Sequence, residues 1–399
     1  MPVHEDLAVR YHQQDDRFLC GAACAQVVLA YIGAGLLDQA DLDSDIYNHN
    51  LIETGWAAAP DGLHWTMNDG RPTSFPGSFA RFELNSQDAI ARTIVWSIHQ
   101  GKVPAIALIS GRSHWIVVRG FEASALPAGP DDPTYSIISL DINNPSPPVS
   151  ASPPPPHALA DECGSGGDHG FADEHIAYGH WLSAYMTGVP VGSYWGGKFV
   201  AVAKADAAPT RLGSSAPAPR KLSGERVMPA DKAREQAVAG LQEYGLYERA
   251  TWGKSLSKTS PGNPILVQRL DRRDTFYYIV PMQVSRKIVR VLVCVDARFG
   301  NYQQAARISE HGNAFRGFNY DPKGAVHKVV GKTLNFGRRG RLTIRKEAFC
   351  LYPTLVWRPS RESMSPYVPF FMVTVGNRRV YVRVDGQVFA SLHVNDAGI

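Results

Sequence analysis

Residues 13–35, QQDDRFLCGAACAQVVLAYIGAG, set Cys20 at the head of an apolar run with Gln14 six positions before it. A thiol attacks as its thiolate, and a helix N-terminus or a neighbouring imidazolium lowers its pKa. The small residues of CGAAC leave the first sulfur reachable, whereas Cys24, one helical turn later, is expected to pack inside. A cysteine before an apolar helix is more often inert than reactive, so its company decides. Acyl transfer by a thiolate needs a base, a group that orients the base, and donors for the developing oxyanion. His114 follows the turn SGRS and opens HWIVVRGF, which puts its ring at a sheet end. The next strand ends in SLDINNP, where Asp141, Asn143 or Asn144 can reach the outer imidazole nitrogen. Gln14 offers a side-chain amide to join the Cys20 backbone N–H as oxyanion donor. Singly, His114 reads as an edge-strand histidine, Asp141 as a turn former and Gln14 as surface. Their joint order, Gln, Cys, His, Asp, points to nucleophilic chemistry.

These residues require a helix and a sheet to position them. Gly21 to Ile32 is apolar at helical density and closes at Gly33, a helix-ending residue. SQDAIARTIVWSIHQGK, 86–102, has Ser or Gln as cap, apolar residues near the 3.6 period and Gly101 at its end. VPAIALIS, HWIVVRGF, TYSIISLD and YWGGKFVAVAK follow as β-branched or aromatic runs bounded by Gly, Pro and Asp. A front helix followed by strands gives an α+β class with the helix packed on an antiparallel sheet. The Pro- and Gly-rich tract 143–175 reads as an inserted surface loop. Ala, Pro, Ser and Gly dominate the region around 206–228, which reads as a linker closing a domain of residues 1–205.

Beyond the linker, residues 229–399 repeat themselves. NPILVQR at 263–269 matches YPTLVWR at 352–358, and VRVLVCVDARFG at 289–300 matches RVYVRVDGQVFA at 379–390. A helix-like stretch precedes each set, ADKAREQAVAGLQEYG and KGAVHKVVGKTL. Two modules of a helix and a small antiparallel sheet, about 229–310 and 311–399, are the economical reading. Asp296 and Asp385 fall where strands end and are expected to form turns.

Composition narrows the function classes. With 44% hydrophobic and 20% charged residues and a formal charge of +4, the chain is of ordinary globular type, and neither nucleic acid nor membrane is expected as main partner. The basic run FGRRGRLTIRK, 336–346, reads as a solvated strand pair or loop. No stretch of roughly 18 apolar residues occurs, and the start lacks a secretory pattern, so a cytoplasmic location is expected. Five scattered cysteines argue against a disulfide framework. One loop holds His157, Asp161, Glu162, Cys163, His169, Asp173, Glu174, His175 and His180, ligand types suited to zinc, but their spacing matches no tight tetrahedral motif. No metal or other cofactor is expected.

QDDRFLCGAACAQVVLAYIG, GKVPAIALISGRSHWIVVRGF and IISLDINNP together resemble the papain-like cysteine peptidases of the C39 type over about residues 1–205. The resemblance implies a papain-like fold with Cys20 as nucleophile, His114 as base, Asp141 as orienting residue and Gln14 as oxyanion donor. The family has Asp directly before Pro, where this chain has Asn144, with Asp141 three residues earlier. The C-terminal repeat weakly resembles PepSY or cystatin-like modules. The expectation is a cysteine peptidase acting on a peptide or protein, with a C-terminal domain that binds substrate or a protein partner, or regulates by covering the cleft. The alternative is an inactive papain-like scaffold serving as a binding module.

Overall fold

The computed structural model describes residues 2–16, 18–146, 171–207, 227–285, 288–308, 321–345, 353–376 and 378–394. Most of the expected linker and insert, and His157, Asp161, Glu162, Cys163 and His169, lie outside the described residues. The chain divides into two compact units: residues 1–148 with 154–223 and the last five, and residues 224–394 with 149–153.

The first unit is a mixed α and β structure built from β1 (Val3–Asp6), α1 (Cys20–Tyr31), α2 (Gln39–Asn48), α3 (Pro60–Asp69), β2 (Phe79–Leu84), α4 (Gln87–His99), β3 (Ala105–Ile109), β4 (His114–Ala123), β5 (Ile137–Asn143), β6 (Phe171–Ala177), a short helix α5 (Tyr178–His180) running into a π turn, and β7 (Phe199–Lys204). Its strands run in the order β6-β5-β4-β3-β7-β2, all antiparallel. The N-terminal half of β4 pairs with β3 and its C-terminal half with β1. Alternation along the strands sorts the core into two layers. Ile106, Leu108, Trp115, Val117, Val200 and Val202 pack with α1, α2 and α3. Ala105, Ala107, Ile109, Ile116, Val118, Ala201 and Ala203 pack with α4 on the opposite face. Thus helices cover both faces of the sheet, not one.

Helix α1 is buried from Cys20 to Leu29, as a helix apolar on all sides must be. It ends as its sequence dictates. Gly33 adopts φ +95°, its N–H donates to Ala30 O, and the Ala34 N–H donates to Leu29 O at 3.0 Å. Those two bonds satisfy carbonyls that the helix end would orphan. Helix α4 is capped by Ser86, whose hydroxyl accepts from the Ala89 N–H at 3.2 Å, and it carries an Arg92–Asp88 ion pair one turn apart at 2.6 Å.

The second unit contains α6 (Ala230–Glu243), α7 (Ala250–Leu256), β8 (Ser260–Pro261), β9 (Ile265–Arg269), β10 (Phe276–Ser285), β11 (Ile288–Asp296), β12 (Tyr302–Ile308), α8 (Pro322–Val329), β13 (Thr333–Asn335), β14 (Arg341–Thr343), β15 (Thr354–Trp357), β16 (Phe370–Val375), β17 (Arg378–Arg383) and β18 (Val388–Phe389). Two antiparallel meanders, β9 to β12 and β15 to β18, meet through the parallel pair β9 and β15. Val356 pairs with Gln268 and Trp357 with Arg269. Asp296 Oδ1 accepts the N–H groups of Arg298 and Phe299, and Asp385 Oδ1 that of Gln387, so both aspartates hold turns. The described part of the basic run supplies the turn and the second strand of the hairpin β13–β14. Among the described residues no helix is long and apolar enough to cross a membrane.

Candidate active site

Cys20 is the first residue of α1, and the helix start is fixed by close packing. A Cβ on Gly21 would stand 2.6 Å from Ala58 Cβ and 3.5 Å from Trp115 Cδ1, so only glycine lets α1 approach this wall. Trp115, fully buried, donates its indole N–H to Ala58 O at 2.9 Å, tying β4 to the same segment. The Trp115 backbone N–H donates toward the Cys20 sulfur, which brings the thiol beside the strand that begins at His114. That strand enters from a tight turn: Ser110 and Gly111 adopt φ +51° and +78°. The Ser110 N–H donates to Tyr185 O and the Gly111 N–H to Thr187 Oγ1. A non-glycine residue in the left-handed region is a strained device that its surroundings must hold.

His114 is 1% exposed, and its Nε2 lies 2.8 Å from Asn144 Oδ1. This contact leaves Nδ1 as the other ring nitrogen. Asp141, expected to orient His114, does not do so. It pairs across the sheet with Gly120, six residues along β4 from His114, a span of about 20 Å at strand rise. Its carboxylate instead meets His4 Nε2 at 2.9 Å. Asn143 lies opposite Val117 and donates its amide to Val9 O at 3.4 Å. Asn144, just past the end of β5, is the residue that reaches the imidazole.

Gln14 is 4% exposed and sits beside Asn144, because its backbone N–H donates to Pro145 O at 2.7 Å. Its side-chain amide donates to Asp16 O at 2.6 Å. The loop around it is clamped by Gln39, fully buried at the start of α2: Gln39 Nε2 donates to Gln13 O and Gln26 Oε1, and its Oε1 accepts the Asp15 N–H. No pattern in the sequence singled out Gln39.

Electrostatically the site is closed. Burial pushes the Cys20 thiol up to about 12, against the N–H donors of Trp115 and Gly21, and pushes His114 down to about 4, against the bond to Asn144. Neither sulfur nor ring carries charge at neutral pH in this state, contrary to the thiolate expected from the helix start. Cys24 is also fully buried, and burial raises its thiol as well. A further buried group adjoins the site: Glu174, on β6 opposite Ile142, is 0% exposed, and neither of its oxygens makes a well-aligned hydrogen bond among the described residues. Burial raises its carboxyl to about 8, and the nearby Asn144 amide offsets this in part. The sequence had placed Glu174 among loop residues. Its place on a strand follows from the alternation in FADEHIA, which sets Glu174 on the same side as Ile176.

Asp173 and His175, also grouped in that loop, lie on β6, His175 opposite Asp141. Asp173 pairs with Arg119 Nη2 at 2.7 Å, and Arg119 Nη1 reaches Asp6 at 2.5 Å. Among the described residues no group of three or more His, Cys, Asp or Glu side chains is arranged to hold a metal. Comparisons with protein-family models, curated proteins and solved structures find no match to this chain.

Proposed function

We propose that the first unit is a papain-like thiol acyl-transfer enzyme, most simply a peptidase, with Cys20 as nucleophile, His114 as base, Asn144 as orienting residue and Gln14 as oxyanion donor. One observation carries this reading: a buried imidazole at a strand end, bonded through Nε2 to an asparagine amide at 2.8 Å, beside a helix-initial cysteine that receives the next residue's backbone N–H. With Nε2 engaged, Nδ1 takes the Cys20 proton. The sulfur bonds to the substrate carbonyl carbon, and the proton passes from His114 to the leaving amine as the C–N bond breaks. Water then cleaves the thioester, giving its proton to His114 and restoring the thiol. Because burial is the main cause that holds both groups neutral, entry of substrate and water must bring their pKa values together, and the closed pair is the resting form. In the oxyanion role Gln14 Nε2 exchanges Asp16 O for the substrate oxygen.

The second unit fits a duplicated helix-and-sheet module of PepSY or cystatin-like type that binds the substrate or a protein partner. Val267 and Val356 are equivalent in the repeat, yet Val356 pairs with Gln268, so the two buried valines face opposite sides of the sheet. A two-fold axis along the strands relates copies in that way.

A second reading is favoured by the 0% exposure of Cys20: a papain-like scaffold that binds peptides without chemistry. Turnover of a fluorogenic peptide library separates the two. Activity that vanishes in Cys20→Ala supports the enzyme; activity that survives the substitution overturns Cys20 as nucleophile, and absence of turnover in the parent chain supports the scaffold.

A further inference from the structure

The contact between His114 and Asn144 uses only one end of the asparagine. Asn144 Oδ1 lies 2.8 Å from His114 Nε2 and accepts the Ser146 backbone N–H at 3.2 Å. A backbone N–H can only donate, so oxygen, not nitrogen, holds that end of the amide. Nε2 therefore carries the proton of the neutral imidazole, and Nδ1 is left as the basic nitrogen. The other end of the amide, Asn144 Nδ2, is buried and makes no well-aligned hydrogen bond among the described residues. A buried donor left unpaired destabilises the fold.

Strand β6 brings an acceptor to that end. Ile142 pairs with Glu174, and Asn144 stands two residues beyond Ile142, so Asn144 and Glu174 are diagonal neighbours on one side of the sheet. The Asn144 amide acts on the Glu174 carboxyl as a hydrogen-bond donor, against the upward shift that burial causes. Glu174 is 0% exposed, and both its oxygens, like Asn144 Nδ2, lack a well-aligned bond. Ile142 beside it and Ile176 two residues along β6 belong to a buried apolar cluster. Leucine would suit such surroundings better than a carboxyl group. What the carboxyl adds is an acceptor next to the unpaired amide, and hydrogen bonds of this kind are often poorly aligned until substrate is bound. A carboxyl accepts whether or not it is ionised.

We infer that Glu174 is a positioning residue of the Cys20 and His114 site: it accepts from Asn144 Nδ2, holds the amide with Oδ1 toward the imidazole, and so keeps His114 in its Nε2-protonated tautomer. This inference rests on the thiol acyl-transfer reading of the first unit. An amide turned the other way would present Nδ2 to Nε2–H, a donor against a donor. His114 would answer by moving its proton to Nδ1, the nitrogen that has to take the Cys20 proton.

The test compares full-length Glu174→Leu and Glu174→Gln with the parent by NMR of isotope-labelled histidine ring nitrogens, the His114 signals being identified by their loss in His114→Gln. The parent is expected to hold His114 as a single Nε2-protonated tautomer at neutral pH. Glu174→Leu is expected to give a mixture of tautomers and to lower kcat about tenfold with KM within about twofold. Glu174→Gln, whose amide oxygen accepts the same bond, is expected to keep the parent's tautomer and to recover most of kcat. A side chain that only filled space would be replaced as well by leucine as by glutamine. Thermal unfolding checks that Glu174→Leu folds, and Glu174→Met, more adaptable in shape, gives the same comparison if it does not. A single Nε2-protonated tautomer in the apolar variant, a mixture in Glu174→Gln as large as in that variant, or an Nδ1-protonated parent would each overturn the assignment. The tautomer is read without substrate, so a parent chain that turns over no peptide counts against the peptidase reading while the NMR comparison decides the role of Glu174 separately.

Discussion

His114 Nε2 lies 2.8 Å from Asn144 Oδ1, while Asp141, three residues before Asn144 and within β5, meets His4 at 2.9 Å. The two positions therefore predict opposite phenotypes. Asn144→Ala is expected to lower kcat/KM by on the order of a hundredfold, since a base that is no longer oriented loses most of its advantage. Asp141→Asn is expected to keep activity within about threefold and to lower stability instead, because it removes a buried partner of His4. Peptide turnover and urea unfolding of both variants check this. Loss of activity in Asp141→Asn alone would restore the assignment made from sequence.

Glu174 gives the first unit a pH-dependent stability. Its carboxyl is raised from 4.5 to about 8 by burial. The folded chain therefore holds a proton that the unfolded chain releases in between. The sign follows: this contribution is fully present below about pH 4.5 and is lost as pH rises through about 8. Glu174→Gln, which cannot ionise, is expected to abolish that part of the decline, a difference of a few kcal/mol at most, order of magnitude. Urea midpoints of parent and variant between pH 5 and 8.5 are expected to diverge with rising pH, the variant becoming the more stable. Parallel curves would mean that Glu174 is solvated in the folded chain.

Gly21 tests the wall behind Cys20. A Cβ there meets Ala58 at 2.6 Å, whereas one on Gly55 meets nothing within 4 Å. Gly21→Ala is expected to cost about 1–3 kcal/mol through overpacking, with Gly55→Ala close to neutral. Chemical unfolding monitored by tryptophan fluorescence reads both, and equal midpoints would contradict the packing described.

The clamp on the Gln14 loop is tested at Gln39. Gln39→Leu keeps much of the volume but strands Gln13 O and the Asp15 N–H, which Gln39 engages. An unsatisfied buried group costs about 1–3 kcal/mol, so the variant is expected to be less stable and, where Gln14 supplies an oxyanion donor, to fall in kcat more than it rises in KM. Unchanged stability and kcat would show that the loop holds without it.

Local chemistry made much of this legible. Gly33 announced the end of α1, Ser86 the start of α4, and the β-branched runs marked β3, β4, β5 and β7. The third site residue was undecided among Asp141, Asn143 and Asn144 because register decides it, and register is a property of the β4–β5 pairing. Strand β6 was hidden by the Pro- and Gly-rich residues before it, and with it the burial of Glu174. Helices α2 and α3, polar on their outer faces, show no strong period in the sequence, so two of the three helices on the Cys20 side of the sheet were not legible there. The pKa of Cys20 was misjudged because a helix start lowers a thiol's pKa only where desolvation does not outweigh it, and Cys20 is completely enclosed.

Covalent labelling tests the central claim most directly. The full chain, incubated with a peptidyl vinyl sulfone library at neutral pH and mapped by mass spectrometry, is expected to carry a single adduct on Cys20. Iodoacetamide, which brings no peptide to open the site, is expected to react there far more slowly, and His114→Ala is expected to abolish the peptide adduct. An adduct on Cys20 that persists in His114→Ala, or labelling spread over Cys24 and Cys294 with Cys20 spared, would contradict a thiol activated by that imidazole.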